Sequence, residues 1–138
     1  MSAAPLPCPA LEAGINAARA EAGLPPLVPH PALRAAAMAH AADLLGNGAF
    51  DHAGSDSSLP MERVMRQGLS PRLAAENIAM GQPDAAAAVA AWQGSEGHRA
   101  NNLEPTTTLV GAAEARYGRL GLVSDDQPLW IAVFAAGF

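Results

Sequence analysis

Four side chains with the capacity for chemistry fall in short polar segments of an otherwise alanine-rich chain: His52 behind Phe50-Asp51, Glu76 within Ala75-Glu76-Asn77-Ile78-Ala79, and Glu96 with His98 inside Ser95-Glu96-Gly97-His98-Arg99-Ala100-Asn101. Imidazole titrates near neutral pH and serves as base, acid or metal ligand. Glu76 lies among Leu73, Ala74, Ala75, Ile78 and Ala79. A carboxylate so placed is expected to be partly buried and to need a cation or donors beside it, which a protonated histidine supplies. Three uses of such a set follow. His52, Glu76, Glu96 and His98 can line a ligand-binding cleft. Alternatively, His52 and His98 hold a divalent metal such as zinc while Glu76 or Glu96 activates water, since two His and a carboxylate leave a coordination position open. A metal-free version has Glu76 orienting His52 as general base, with Ser95 as the conceivable nucleophile. The third use is structural, a polar cluster that locks loops over the core.

Other polar residues have plainer readings. His40 falls on the apolar face of a helix and reads as a satisfied core histidine, while His30 precedes Pro31 and serves a helix entry. Glu62, Arg63 and Arg66 form a helical charge pattern whose default is a solvated face. Arg63, turned inward, would pair with Asp51 or Asp56. Cys8 is the only cysteine. It forms no internal disulfide and reads as an inert thiol near a terminus, with an intermolecular bridge as the alternative. Phosphate-cradling glycine loops, a Gly-x-Ser-x-Gly elbow and His-Glu-x-x-His are all absent from the sequence.

The elements that must position these residues can be read from pattern. A first helix is predicted over 10–22, stopped by Gly23 and followed by the extended connector Leu24-Pro25-Pro26-Leu27. His30-Pro31 opens a second, which Gly46-Asn47-Gly48 ends. Leu59-Pro60 starts a third, reaching Gln67, and Asp84 caps a fourth over 85–93, closed by Gly94. Strands are predicted over 109–117, 120–123 and 129–136, with turns at Tyr117-Gly118 and 124–127, and a short extra strand near 77–80. Such close spacing demands antiparallel pairing. The last strand is apolar on both faces, with Trp130, Ala132 and Phe134 on one and Leu129, Ile131 and Val133 on the other. A strand of this kind is covered on both sides. The fold expected is therefore α+β, a three-layer α-β-α sandwich around a small antiparallel sheet. Residues 1–8 are expected to be a flexible segment and 9–138 a single domain.

Composition narrows the function classes. At 138 residues the chain can bury a core without staples, and with 4% aromatic residues that core must be close-packed Ala, Leu and Val around Trp92, Trp130, Phe50, Phe134 and Tyr117. The net charge of -5 and eight scattered arginines argue against nucleic acid as a partner. No window is apolar for the roughly 20 residues that span a bilayer. Residues 1–10, interrupted by Pro5, Pro7 and Pro9, show neither the basic front nor the apolar run of a secretory leader, which leaves the cytosol or a processed secreted form as the compartment. A monomer is expected.

The order of these motifs resembles the CAP superfamily, which spans cysteine-rich secretory proteins, antigen 5 and plant pathogenesis-related proteins; the compact bacterial branch is most similar. The resemblance runs through Ile15-Asn16-Ala17-Ala18-Arg19, Gly23 to Leu27, Leu33 to Asp43, Gly48-Ala49-Phe50-Asp51-His52, Arg63 with Gly68, Ala75 to Ala79, Trp92 to Leu103, Pro105, Val110-Gly111 and Trp130 with Phe134. It implies an α-β-α sandwich with a cleft of two His and two Glu, in some relatives holding zinc or another divalent metal. By motif, His52 matches the first histidine, Glu76 the first glutamate and Glu96 the second. His98 matches the histidine that bacterial members carry in Ser-x-Gly-His-Arg. In animal and plant members the second cleft histidine precedes an aromatic residue on the late strand, where this chain has Leu129 before Trp130. His98 is the nearby replacement. Asp51 stands where bacterial relatives often have Ser, Asn102 and Thr107 replace apolar residues, and the family disulfides are absent. The resemblance implies an extracellular or periplasmic protein that binds a small ligand, lipid, peptide or glycan, with a metal-dependent hydrolase as the alternative.

Overall fold

The computed structural model describes residues 4–116 and 127–137. In chain order the elements are β1 (Leu6–Pro7), α1 (Pro9–Glu21), β2 (Val28–Pro29), α2 (Pro31–Asn47), α3 (Pro60–Arg66), β3 (Leu73–Met80), α4 (Ala85–Gln93), α5 (Glu96–Asn102), β4 (Leu109–Arg116) and β5 (Pro128–Ala136). The strand expected over 120–123 and the turns beside it lie outside the described residues. The sheet runs β1-β4-β5-β3, with antiparallel neighbours. The two-residue β2 joins β4 in parallel, Val28 opposite Leu109.

Every residue of β5 is buried, because the strand is sandwiched between two cores. On one face Leu129, Ile131 and Val133 meet Leu33, Ala37, Ala41 and Leu44 of α2 and Val64 of α3. On the other, Trp130, Ala132 and Phe134 meet Leu11 and Ile15 of α1 and Val89 and Trp92 of α4. These are the two faces that residue alternation assigned, and they make the three layers. Close approach of α2 to the sheet depends on Gly111, where a Cβ would collide with Arg34 N and Leu33 C. Gly48, at φ 61, ends α2 in the left-handed conformation that favours glycine. Across the layers, Glu12 accepts from Arg34 at 2.6 and 2.8 Å and from the Ala112 N–H at 3.0 Å, so one carboxylate ties α1, α2 and β4 together.

Two expectations need correction. Residues 6–8 are not a flexible tail: Leu6 and Pro7 pair with Glu114 and Ala113, and the Cys8 N–H donates to Ala112 O at 2.9 Å. The backbone of β4 offers an edge there, and Cys8 supplies an apolar side chain to the α1 core. Burial, with Glu114 nearby, pushes the thiol up to about 12, which suits an inert core residue. Second, the short strand near 77–80 is the eight-residue β3, which begins at Leu73. Glu76 therefore sits in the middle of a strand and not in a loop.

Candidate functional site

β3 is an edge strand, and its alternation sends neighbouring residues to opposite faces. Ile78 joins the α2 core and Ala79 the α1 core. By the same parity Glu76 faces α2 and α3, and Asn77 faces α5.

The Glu76 side chain is fully buried. Its Oε2 accepts from Arg63 Nη2 at 3.0 Å and its Oε1 from His52 Nδ1 at 2.9 Å. His40 Nε2 lies 3.7 Å from the same Oε1 and donates to the Asp51 carbonyl at 2.7 Å, an oxygen that can only accept. Arg63 also donates to the carbonyls of His52 at 2.8 Å and Ser58 at 2.7 Å. The guanidinium thus fixes the loop carrying His52 at two points while neutralising the carboxylate. Burying that carboxylate without such partners would cost several kcal/mol. His52 itself is about half exposed, and its hydrogen bond to Glu76 holds its pKa above the ordinary imidazole value against opposing burial, with Asp51 adding to the rise.

Asn77 ties the opposite face of β3 to α5. Its Nδ2 donates to the His98 carbonyl at 3.0 Å and to Asn102 Oδ1 at 2.9 Å, and its Oδ1 accepts from Asn101 at 2.8 Å. Asn101 reaches on to Glu76 O at 3.3 Å, and Asn102 donates to Gln93 Oε1 at 2.9 Å. Buried Arg19 clamps the end of α5 through the carbonyls of Asn102 and Glu104, both at 2.9 Å. This amide chain pins α5 to β3 and so fixes His98. The His98 Nδ1 lies 3.0 Å from Ser95 Oγ. Burial pushes the His98 pKa down, and repulsion from nearby His52 adds to the fall.

At the edge of β3, beside α4 and the start of α5, a hollow of about 320 Å³ is lined by Phe50, Ile78, Met80, Trp92, Ser95 and His98 among others; of the four residues read from sequence only His98 lines it. Trp92 Nε1 donates to Ile78 O at 3.1 Å and secures its inner wall. A second hollow of about 220 Å³, behind the His52 loop, contains His40, Asp43, Asp56 and Arg66. Its charges are already matched: Arg66 meets Asp56 at 2.8 Å, and Asp43 accepts from the Ser55 hydroxyl at 2.6 Å and amide at 2.7 Å.

Of the four residues singled out from sequence, the structure joins His52 to Glu76 and sets His98 near enough to feel the charge of His52. Glu96 is not brought in. As the first residue of α5 it is exposed, lines none of these hollows and makes no hydrogen bond to the other three. Sequence reasoning missed Arg63 as the partner of Glu76; it turns inward as the alternative reading allowed, but Asp56 pairs with Arg66 instead. His40 is buried as expected, yet it stands beside Glu76, and its Nδ1 has no partner among the described residues. The asparagine chain was unforeseen, although Asn77 and Asn101 in the two polar segments, with Asn102 next to the second, were a visible signal.

The metal expected from resemblance does not find its donors. Both Glu76 oxygens are engaged, Glu96 stands apart, and each imidazole has one nitrogen committed. Among the described residues no three His, Cys, Asp or Glu side chains form a group that could hold a metal ion. Two imidazole nitrogens fall short of the three protein ligands of catalytic zinc sites.

The model of the cysteine-rich secretory protein family, CAP, matches residues 13–133. An uncharacterized protein, YkwD, of Bacillus subtilis (strain 168) is 36% identical over 105 residues, which is 76% of this chain and 41% of YkwD. Among solved structures, an extracellular protein containing an SCP domain from Bacillus anthracis str. Ames superposes with a TM-score of 0.75 at 28% identity, over 88% of this chain and 37% of that one. An outer surface protein from Borrelia burgdorferi superposes with a TM-score of 0.78 over 93% of this chain and 90% of its own, and at 23% identity it speaks for the fold alone. The chain thus spans well under half the length of YkwD and of the anthracis protein. With the family model covering most of its residues, this chain belongs to the CAP family of cysteine-rich secretory proteins.

Proposed function

We propose that the domain is an extracellular binding module whose hollow at the β3 edge takes a small amphipathic ligand: a lipid, an apolar peptide or a glycan fragment with an apolar substituent. One observation carries this reading. Apolar walls from Phe50, Ile78, Met80 and Trp92 meet an imidazole-bearing rim at His98 in one hollow of about 320 Å³, at the small end of the range for small-molecule sites. Phe50 is 38% exposed, an unusual cost for a large aromatic that a ligand would cover. The extracellular setting is supported by the similarity to an SCP-domain protein described as extracellular. In the described residues no helix is long and apolar enough to cross a membrane.

The reading is tested by calorimetric titration of fatty acids, short apolar peptides and peptidoglycan fragments into the wild type and Ala91→Trp. Ala91 lines the hollow from an exposed position on α4, so tryptophan there fills the space without entering the core. Saturable binding of one class, lost in Ala91→Trp with the melting temperature unchanged, is the expected result. Equal binding by both proteins would remove the hollow from the account.

A further inference from the structure

Ser95 departs from the ordinary behaviour of its position. It is the N-cap residue of α5 yet makes no side-chain cap hydrogen bond. A serine there normally accepts from the backbone N–H two or three residues on. Its hydroxyl lies instead 3.0 Å from His98 Nδ1, and both residues line the apolar hollow. A hydroxyl held against an imidazole beside a substrate-sized space is the arrangement that activates a serine nucleophile. We propose that Ser95 is a nucleophile and His98 its base, so that this hollow hydrolyses carboxylic esters of small apolar acyl groups. The inference rests on the reading of the hollow as a ligand site and adds a reaction to it.

Three further features suit that role. The asparagine chain holds the base: the His98 carbonyl accepts from Asn77, which Asn101 and Asn102 grip in turn. Burial favours neutral His98, whose Nδ1 can then accept the serine proton. Phe50, Ile78, Met80 and Trp92 surround the pair with apolar surface suited to a small acyl group.

In the reaction the Ser95 hydroxyl proton passes to His98 Nδ1 as Oγ bonds to the ester carbonyl carbon, and the carbonyl π pair moves onto oxygen. Collapse of the tetrahedral intermediate breaks the bond to the leaving alkoxide, which takes the proton from His98 and departs as the alcohol. Water then attacks the Ser95 ester with His98 again accepting the proton. Collapse returns that proton to Oγ and releases the carboxylic acid. Water is the only co-reactant.

The test uses the full chain with two probes, a short-chain alkyl fluorophosphonate and p-nitrophenyl butyrate. The expected result is one covalent adduct, mapped by peptide mass spectrometry to Ser95, together with release of p-nitrophenol. Ser95→Ala is expected to abolish both. His98→Gln, folded by circular dichroism, is expected to slow both by about 100-fold or more, as loss of a general base does. Absence of an adduct at Ser95, an adduct elsewhere only, or undiminished ester turnover in either variant would overturn the proposal. The wild-type adduct map decides the matter even if a variant fails to fold. Binding lost in Ala91→Trp without any Ser95 adduct would leave the binding reading standing and remove the reaction alone.

Discussion

Replacing Glu76 by Gln keeps the shape of the site and removes the charge at its centre. In the folded protein the Glu76 side chain has no exposure, and Arg63, 3.0 Å away, has 6%. Removing one member of a buried ion pair costs about 3–5 kcal/mol, because the other charge is left in a poor solvent. Arg63 would keep the carbonyls of Ser58 and His52 at 2.7 and 2.8 Å, which offset part of the loss. His52, 48% exposed on its side chain, adds little, since surface pairs contribute about 0–1 kcal/mol. A loss of about 3 kcal/mol is therefore expected, or roughly 10 °C in melting temperature for a chain of this size. Urea unfolding of the wild type, Glu76→Gln, Arg63→Met and the double variant measures it. The double variant, which removes both charges, should be more stable than the sum of the single losses predicts, with a coupling of roughly 2 kcal/mol. A Glu76→Gln loss below about 1 kcal/mol, strictly additive with Arg63→Met, would mean that the buried pair does not hold the His52 loop.

Two further outcomes are expected. Gly111→Ala places a methyl group against the α2 backbone at Leu33 and Arg34, so α2 must lift from β4. A loss of about 3 kcal/mol in urea unfolding is expected, and a wild-type midpoint would show that the contact is soft. For His52, the hydrogen bond it donates to Glu76 raises the folded-state pKa above 6.5, so this imidazole binds more protons in the folded chain than in the unfolded one near neutrality. The stabilisation from this group is complete below the unfolded value and is lost as pH rises through the folded value. In NMR titration His52 should titrate above 6.5 and His98 below it; the reverse order would contradict the geometry.

Patterns that depend on burial by layers were legible from the residues alone. The doubly apolar β5 announced a covered sheet, and it is covered by α2 on one face and by α1 and α4 on the other. Asp84 and Gly48 marked helix ends through local stereochemistry, which needs no tertiary knowledge. β3 was seen only in its second half, since Leu73-Ala74-Ala75 carries little strand preference and is paired by β5 rather than by its own propensity. Arg63 defeated the rule that a helical charge pattern faces water, because the charge that decides its direction lies 13 residues further along the chain. The terminal pairing of Leu6 and Pro7 was hidden for the same reason: its partners are Glu114 and Ala113. Glu96 was carried by its closeness to His98 and by motif, and neither says which side of a short helix faces a hollow.

Because Glu76 and Asn77 are consecutive, one dipeptide of β3 holds both histidines, His52 by its ring through the carboxylate and His98 by its backbone carbonyl through the carboxamide. Sliding β3 by one position against β5 would exchange the two faces, turning the amide toward Arg63 and the charge toward α5. The alignment of these two strands is therefore a tighter constraint on the site than the length or sequence of the loops around the hollow. Diversity in this domain has its natural outlet in what the loops present, and its anchor in the pairing of Glu76 with Val133.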